Sequence, residues 1–145
     1  AGNEDPYEFL RLTLQEYLRF GLENPDEYRL MFMRGAVRRK SEALAIPAQL
    51  RVGEALFNGL LRRIQLGVAR GQFRCAKGER EMALSVWAAM HGLVSLRIAN
   101  PNFDWPATEV QIAAQVELIL NGIGGVRAPA KREHAPKAGV AIPTH

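Results

Sequence analysis

Residues 79–99 read EREMALSVWAAMHGLVSLRIA. Within this stretch Ser85, Ala88, Gly92, Ser95 and Ala99 recur at spacings of 3, 4, 3 and 4, which puts five small side chains on one face of an α-helix. Val86, Trp87, Met90, Leu93 and Val94 fill the opposite side. A helix that is apolar or small nearly all round must be covered nearly all round. Small residues in register also let a second helix backbone approach closely. The uncharged run, Met82 to Leu96, is 15 residues long, short of the ~20 that a membrane-spanning helix needs. The expectation is therefore a helix buried in a bundle, with no membrane partner.

Working towards the N-terminus, residues 47–70 predict a long helix with Leu50, Leu56, Phe57, Leu60, Leu61, Ile64 and Val68 on its core side and Gly71 as its stop. Residues 6–23 predict another. Asp5 is placed to cap it, Pro6 fits its first turn, and Glu8 stands where a capping box needs it. Leu10, Leu14, Tyr17, Leu18 and Gly21 form its apolar stripe. Asn24-Pro25 breaks that helix and starts a short one bearing Tyr28, Met31 and Phe32, with Asp26 and Glu27 favourably placed in its first turn. Residues 35–41, with Arg34 before them, read as a solvated basic connector. Towards the C-terminus, Asn100-Pro101 ends the helix over 79–99. Asp104 and Pro106 open a fifth helix running to Asn121 or Gly122, with Trp105 stapling its start. No stretch alternates as a strand would. The prediction is an all-α, five-helix antiparallel bundle over residues 1–125, followed by an Ala/Pro/Lys-rich flexible tail over 126–145.

The chain's 145 residues, 48% of them apolar, suffice for one domain with a core of its own. Three of its four net positive charges fall in residues 127–145, where Arg127, Lys131, Arg132 and Lys137 face only Glu133. The body is nearly neutral, and its charge does not point to nucleic acid. A lone Cys75 forms no internal disulfide, and residues 1–8 lack the basic-then-apolar order of a signal peptide. Both features fit a cytoplasmic protein. His134 and His145 have no ligand spacing relative to His91 or Cys75, so no metal or other cofactor is expected. No nucleophile elbow, phosphate loop or carboxylate pair marks an enzyme.

The fifth helix carries its own stripe, Ile112, Val116, Ile119 and Ile123. Two adjacent helices with apolar surface to spare leave two arrangements open. Both stripes can be satisfied within one subunit, or a second copy can join to form a four-helix interface. A permanent dimer needs roughly 2,000 Å² or more, which two such helices per subunit can supply.

Two segments carry a resemblance. Residues 17–32, YLRFGLENPDEYRLMF, and residues 83–96, ALSVWAAMHGLVSL, are similar to the C-terminal regulatory domain of the tetracycline-repressor (TetR) family. Trp87, His91 and Gly92 match the signature of its Trp–His–Gly subgroup, and the stretch from Ala69 to Phe73 resembles the end of that domain's long helix. The resemblance spans roughly residues 6–123. It implies a transcription regulator of repressor type, sensing a small molecule and pairing as a homodimer through its last two helices; the aromatic and Met candidates named below point to a hydrophobic or aromatic effector. Ser85, Ala88, Gly92, Ser95, Ala99, Ile112, Val116, Ile119 and Ile123 would form the interface. Candidate pocket residues are Tyr17, Phe20, Tyr28, Met31, Phe32, Phe57, Leu61, Trp87, Met90 and His91, since an effector site is mostly apolar with a few polar groups. His91, one turn after Trp87, is expected either to bond a neighbouring helix or to touch the effector. The family's helix-turn-helix head is not found in this chain, so operator DNA is expected to be bound only through that missing part. The alternative is a helical homodimeric interaction module whose core is simply filled.

Overall fold

A computed structural model describes residues 5–33 and 48–125, with side chains from 52 onward in the second stretch. Among the described residues all regular structure is helical: α1 (Pro6–Glu23), α2 (Pro25–Tyr28, continued by a π-helical turn over Arg29–Met33), α3 (Ala48–Ala69), α4 (Glu79–Ala99) and α5 (Thr108–Gly122). The basic connector at 35–41 and the tail at 126–145 lie outside the described residues.

The helix ends follow from local chemistry. The Asp5 carboxylate accepts from the Tyr7 N–H at 3.1 Å, and Pro6 starts α1 where no N–H is needed. The Asp5 side chain also accepts from the Gln72 amide, which ties the start of α1 to the α3–α4 turn. Glu8 accepts from Arg11 at 2.9 Å. Asn24 and Asn100 close α1 and α4 alike. In each, the backbone N–H and the side-chain amide both donate to the carbonyl four residues back, Phe20 and Leu96, and proline follows. α3 ends in a Schellman motif: Gly71, at φ +71°, donates to Val68, and Gln72 donates to Gly67. α5 ends the same way, with Gly124 at φ +64° donating to Asn121 and Gly125 donating to Leu120.

α5 begins at Thr108, four residues later than Asp104 suggested. Trp105 precedes a proline and is pushed out of helical geometry. Its indole donates to the Asn100 carbonyl at 2.8 Å, and Arg97 lies over its ring. The 100–107 segment is thus pinned back onto the end of α4.

The core is built from Leu10, Leu14 and Leu18 of α1, Phe57, Leu60 and Ile64 of α3, a row along α4 including Val86, Met90 and Val94, and Ile112, Val116, Ile119 and Leu120 of α5. α1 touches α3, α4 and α5, and α4 also packs on α3. By length and hydropathy α4 is the helix among the described residues that could cross a membrane. Here it is a central helix of the bundle, with Ala83, Val86, Met90, Leu93, Val94 and Ile98 buried. Gly21 lets α1 sit against it, since a Cβ there would lie 2.7 and 2.9 Å from the two Val94 methyl carbons.

Candidate functional site

Two features meet where α1 packs against α2 and its π-helical turn. The first is a groove of about 530 Å³ walled by α1, the π-helical turn and α3. α1 contributes Phe9, Leu12, Thr13, Glu16, Tyr17 and Phe20, one helical stripe at i, i+3, i+4, i+7, i+8 and i+11. Met31 and Phe32 come from the π-helical turn, Val52 and Leu56 from α3. This stripe lies beside the core stripe Leu10–Leu14–Leu18–Gly21, so α1 has two largely apolar faces, and among the described residues the bundle core covers only one. Leu12 is left 50% exposed and Leu56 43%. Leu56, expected in the core, therefore lines the groove.

The second feature is a hydrogen-bonded chain behind the groove wall. The Trp87 indole N–H donates to the Tyr17 hydroxyl at 3.2 Å, the Tyr17 and Tyr28 hydroxyls are 2.8 Å apart, and Tyr28 Oη lies 2.6 Å from His91 Nδ1. An indole N–H can only donate. One direction then spends every hydroxyl proton: Trp87 to Tyr17, Tyr17 to Tyr28, Tyr28 to a neutral imidazole protonated on Nε2. Burial supports that state, holding His91 below the ordinary imidazole range. Burial likewise pushes the Tyr17 and Tyr28 phenols above theirs, so both stay protonated. Tyr28 is completely buried, its ring 4.8 Å from that of Phe32 and 5.6 Å, stacked, from the His91 imidazole. Tyr17 and Phe32 belong to both features: their rings wall the groove and touch Tyr28.

The ten candidate pocket residues thus divide. Tyr17, Phe20, Met31 and Phe32 line the groove. Tyr28, Trp87 and His91 lie behind it in the chain, while Phe57, Leu61 and Met90 belong to the core or pack against it, Phe57 with its ring 5.8 Å from that of Trp87. Sequence reasoning missed Phe9, Leu12, Thr13, Glu16, Val52 and Leu56. The signal for four of them was present in the second stripe of α1.

The candidate interface residues divide as well. Ser85, Ala88 and Ala99 face outward, and Gly92 and Ser95 are half-buried. A Cβ at Gly92 would meet no atom within 4 Å. Ile112, Val116, Ile119 and Ile123, by contrast, are buried in the subunit's own core because α5 turns that stripe onto the bundle. The outward face of α5 carries Val110, Ala113, Ala114 and Leu118 instead. A Gln115 amide donating to the Ala89 carbonyl at 3.2 Å holds α5 beside α4. Among the described residues no cluster of His, Cys, Asp or Glu is arranged to hold a metal ion.

These features describe an all-helical domain with a groove of small-molecule size backed by a polar chain reaching its central helix. The family described as tetracyclin repressor-like, C-terminal domain, matches residues 10–120, and the chain belongs to it. Domains of this family form the regulatory part of transcription regulators and are in general not enzymes. No curated protein and no solved structure matches the chain.

Proposed function

We propose that residues 1–125 are the effector-sensing and homodimerisation domain of a cytoplasmic TetR-type repressor, with residues 126–145 as an appended tail. The effector is a small hydrophobic or aromatic molecule. The observation that carries this reading is the groove itself. Its walls come from α1, the π-helical turn and α3, and two of its wall residues, Tyr17 and Phe32, pack on Tyr28, which bonds His91 of α4. A ligand that displaces those rings has a contiguous physical route to α4. The outer face of α4, with Leu84 and Leu96 beside the small residues, and the neighbouring outer face of α5, with Val110 and Leu118, supply the apolar surface for a second copy. Operator DNA would be contacted through a separate head.

Sedimentation of the chain at tens of micromolar tests the pairing. Gly92→Leu and Ala88→Leu are expected to give folded monomers, because neither position is closed off inside the subunit. A wild-type monomer, or variants that remain dimeric, would remove the α4 face from the proposal. Sensing is tested by a thermal-shift screen of uncharged hydrophobic compounds, since a ligand bound only by the native state raises Tm by mass action. Silence across such a screen would favour the module with a filled core.

A further inference from the structure

The chemistry of the groove walls narrows what the groove can hold, on the reading that it is the effector site. Among the described residues, the hydroxyl protons on its walls are already committed. Thr13 Oγ donates to the Phe9 carbonyl at 2.9 Å. The Tyr17 hydroxyl accepts from Trp87 and bonds Tyr28 behind the wall. Glu16 stands at the solvent rim, its side chain 70% exposed and paired with Arg19. Every other described lining residue is aliphatic or aromatic, apart from the thioether of Met31. Among the described side chains no free hydrogen-bond donor lines this space, so a ligand carbonyl or carboxylate carried into it leaves water without a partner, which costs about as much as an unmade buried hydrogen bond. An apolar group gains in proportion to the surface it loses. A volume of about 530 Å³ is within the range of small-molecule sites.

We propose that the groove selects uncharged ligands with an uninterrupted hydrocarbon body, any polar group staying at the rim beside Glu16. The selection is by exclusion: described walls that are nearly all apolar and have no hydroxyl proton to spare are poorly matched to a ligand hydroxyl, carbonyl or charge along its length.

Competition against N-phenyl-1-naphthylamine, an uncharged dye whose fluorescence rises in apolar surroundings, tests this on the full chain. Among 1-octanol, 1-nonanol and 1-decanol, affinity is expected to rise about fourfold per methylene, equivalent to ~0.8 kcal/mol for a buried CH₂. Moving the hydroxyl inward, from 1-decanol to 5-decanol, should weaken binding at least fivefold. Decanoate and decyltrimethylammonium should compete no better than 1-decanol. Leu12→Arg and Leu56→Arg, at groove positions already about half exposed, should weaken dye binding at least tenfold with melting temperatures near wild type. Phe103→Ser, at an exposed position outside the groove, should leave it unchanged.

Equal or tighter binding of 5-decanol overturns the hydrocarbon assignment. So does a charged competitor that outcompetes 1-decanol; if its binding is lost in Leu12→Arg and Leu56→Arg, the sensing role of the groove stands. Dye binding that survives both arginine variants places the site elsewhere and overturns the inference. Absence of any binding overturns both the inference and the sensing role of the groove.

Discussion

Replacing Tyr28 with phenylalanine removes one oxygen from a completely buried side chain and breaks two hydrogen bonds, to Tyr17 Oη at 2.8 Å and to His91 Nδ1 at 2.6 Å. The losses are unequal. His91 is only partly buried, so its nitrogen can turn towards water, and that side should cost no more than the ~1 kcal/mol of an ordinary hydrogen bond. Tyr17 keeps the Trp87 N–H as donor but loses the acceptor of its own proton, a penalty of ~1–2 kcal/mol for a half-buried unspent donor. The ring itself stays in place against Phe32, so no cavity forms beyond one oxygen atom. The expected total is about 1–3 kcal/mol. At roughly 4 °C per kcal/mol for a domain of this size, Tm falls by about 4–12 °C. Thermal melts and urea unfolding at one fixed protein concentration measure it, since self-association shifts Tm by mass action. The chain also predicts non-additivity. Tyr17→Phe and Tyr28→Phe share a bond, so the double variant should cost less than the sum of the singles by at least about 0.5 kcal/mol. A Tyr28→Phe effect below about 0.5 kcal/mol, or strict additivity, would refute the hydrogen-bonded chain.

Gly21→Ala drives a methyl into both Val94 methyl groups and should cost about 1–3 kcal/mol; Val94→Ala in the same chain should recover part of it, as double-variant melts would show. Gly71→Ala places a side chain at φ +71° and should cost about 1 kcal/mol in urea unfolding, although the added methyl would touch nothing. Because burial lowers the folded pKa of His91, the unfolded chain takes up a proton first as pH falls through the ordinary imidazole value of about 6.5. Stability from this group is thus complete above that value and declines as pH drops towards the folded pKa. Melts between pH 7.5 and 5.5 should therefore show wild type losing Tm relative to His91→Gln, and parallel curves would exclude a His91 held neutral by the fold.

Much of the architecture was legible in the chain because helix boundaries are set by chemistry within a few residues. Asp5-Pro6, Asn24-Pro25, Gly71 and Asn100-Pro101 each settle where backbone groups at a helix end find partners, and those partners lie within five positions. The exception, the start of α5, shows the limit. Asp104 had the right identity for a cap, but Trp105 found a better partner in the Asn100 carbonyl.

What the sequence determined by itself was the set of helices and their apolar faces; which of those faces is covered was decided only by the tertiary structure. α1 carries Leu10–Leu14–Leu18 and, turned round the axis, Phe9–Leu12–Tyr17–Phe20; periodicity marks both as wanting cover. α3, α4 and α5 close over the first and leave the second as the groove wall. On α5 the packing went the other way from expectation, drawing Ile112, Val116, Ile119 and Ile123 inward and leaving Val110 and Leu118 outside. His91 likewise announced itself as a buried imidazole in need of a partner, but its partner, Tyr28, is 63 residues away. Caps are local and can be read along the chain. Burial is a contest among faces for a limited number of neighbours, and its outcome depends on contacts between residues far apart in sequence.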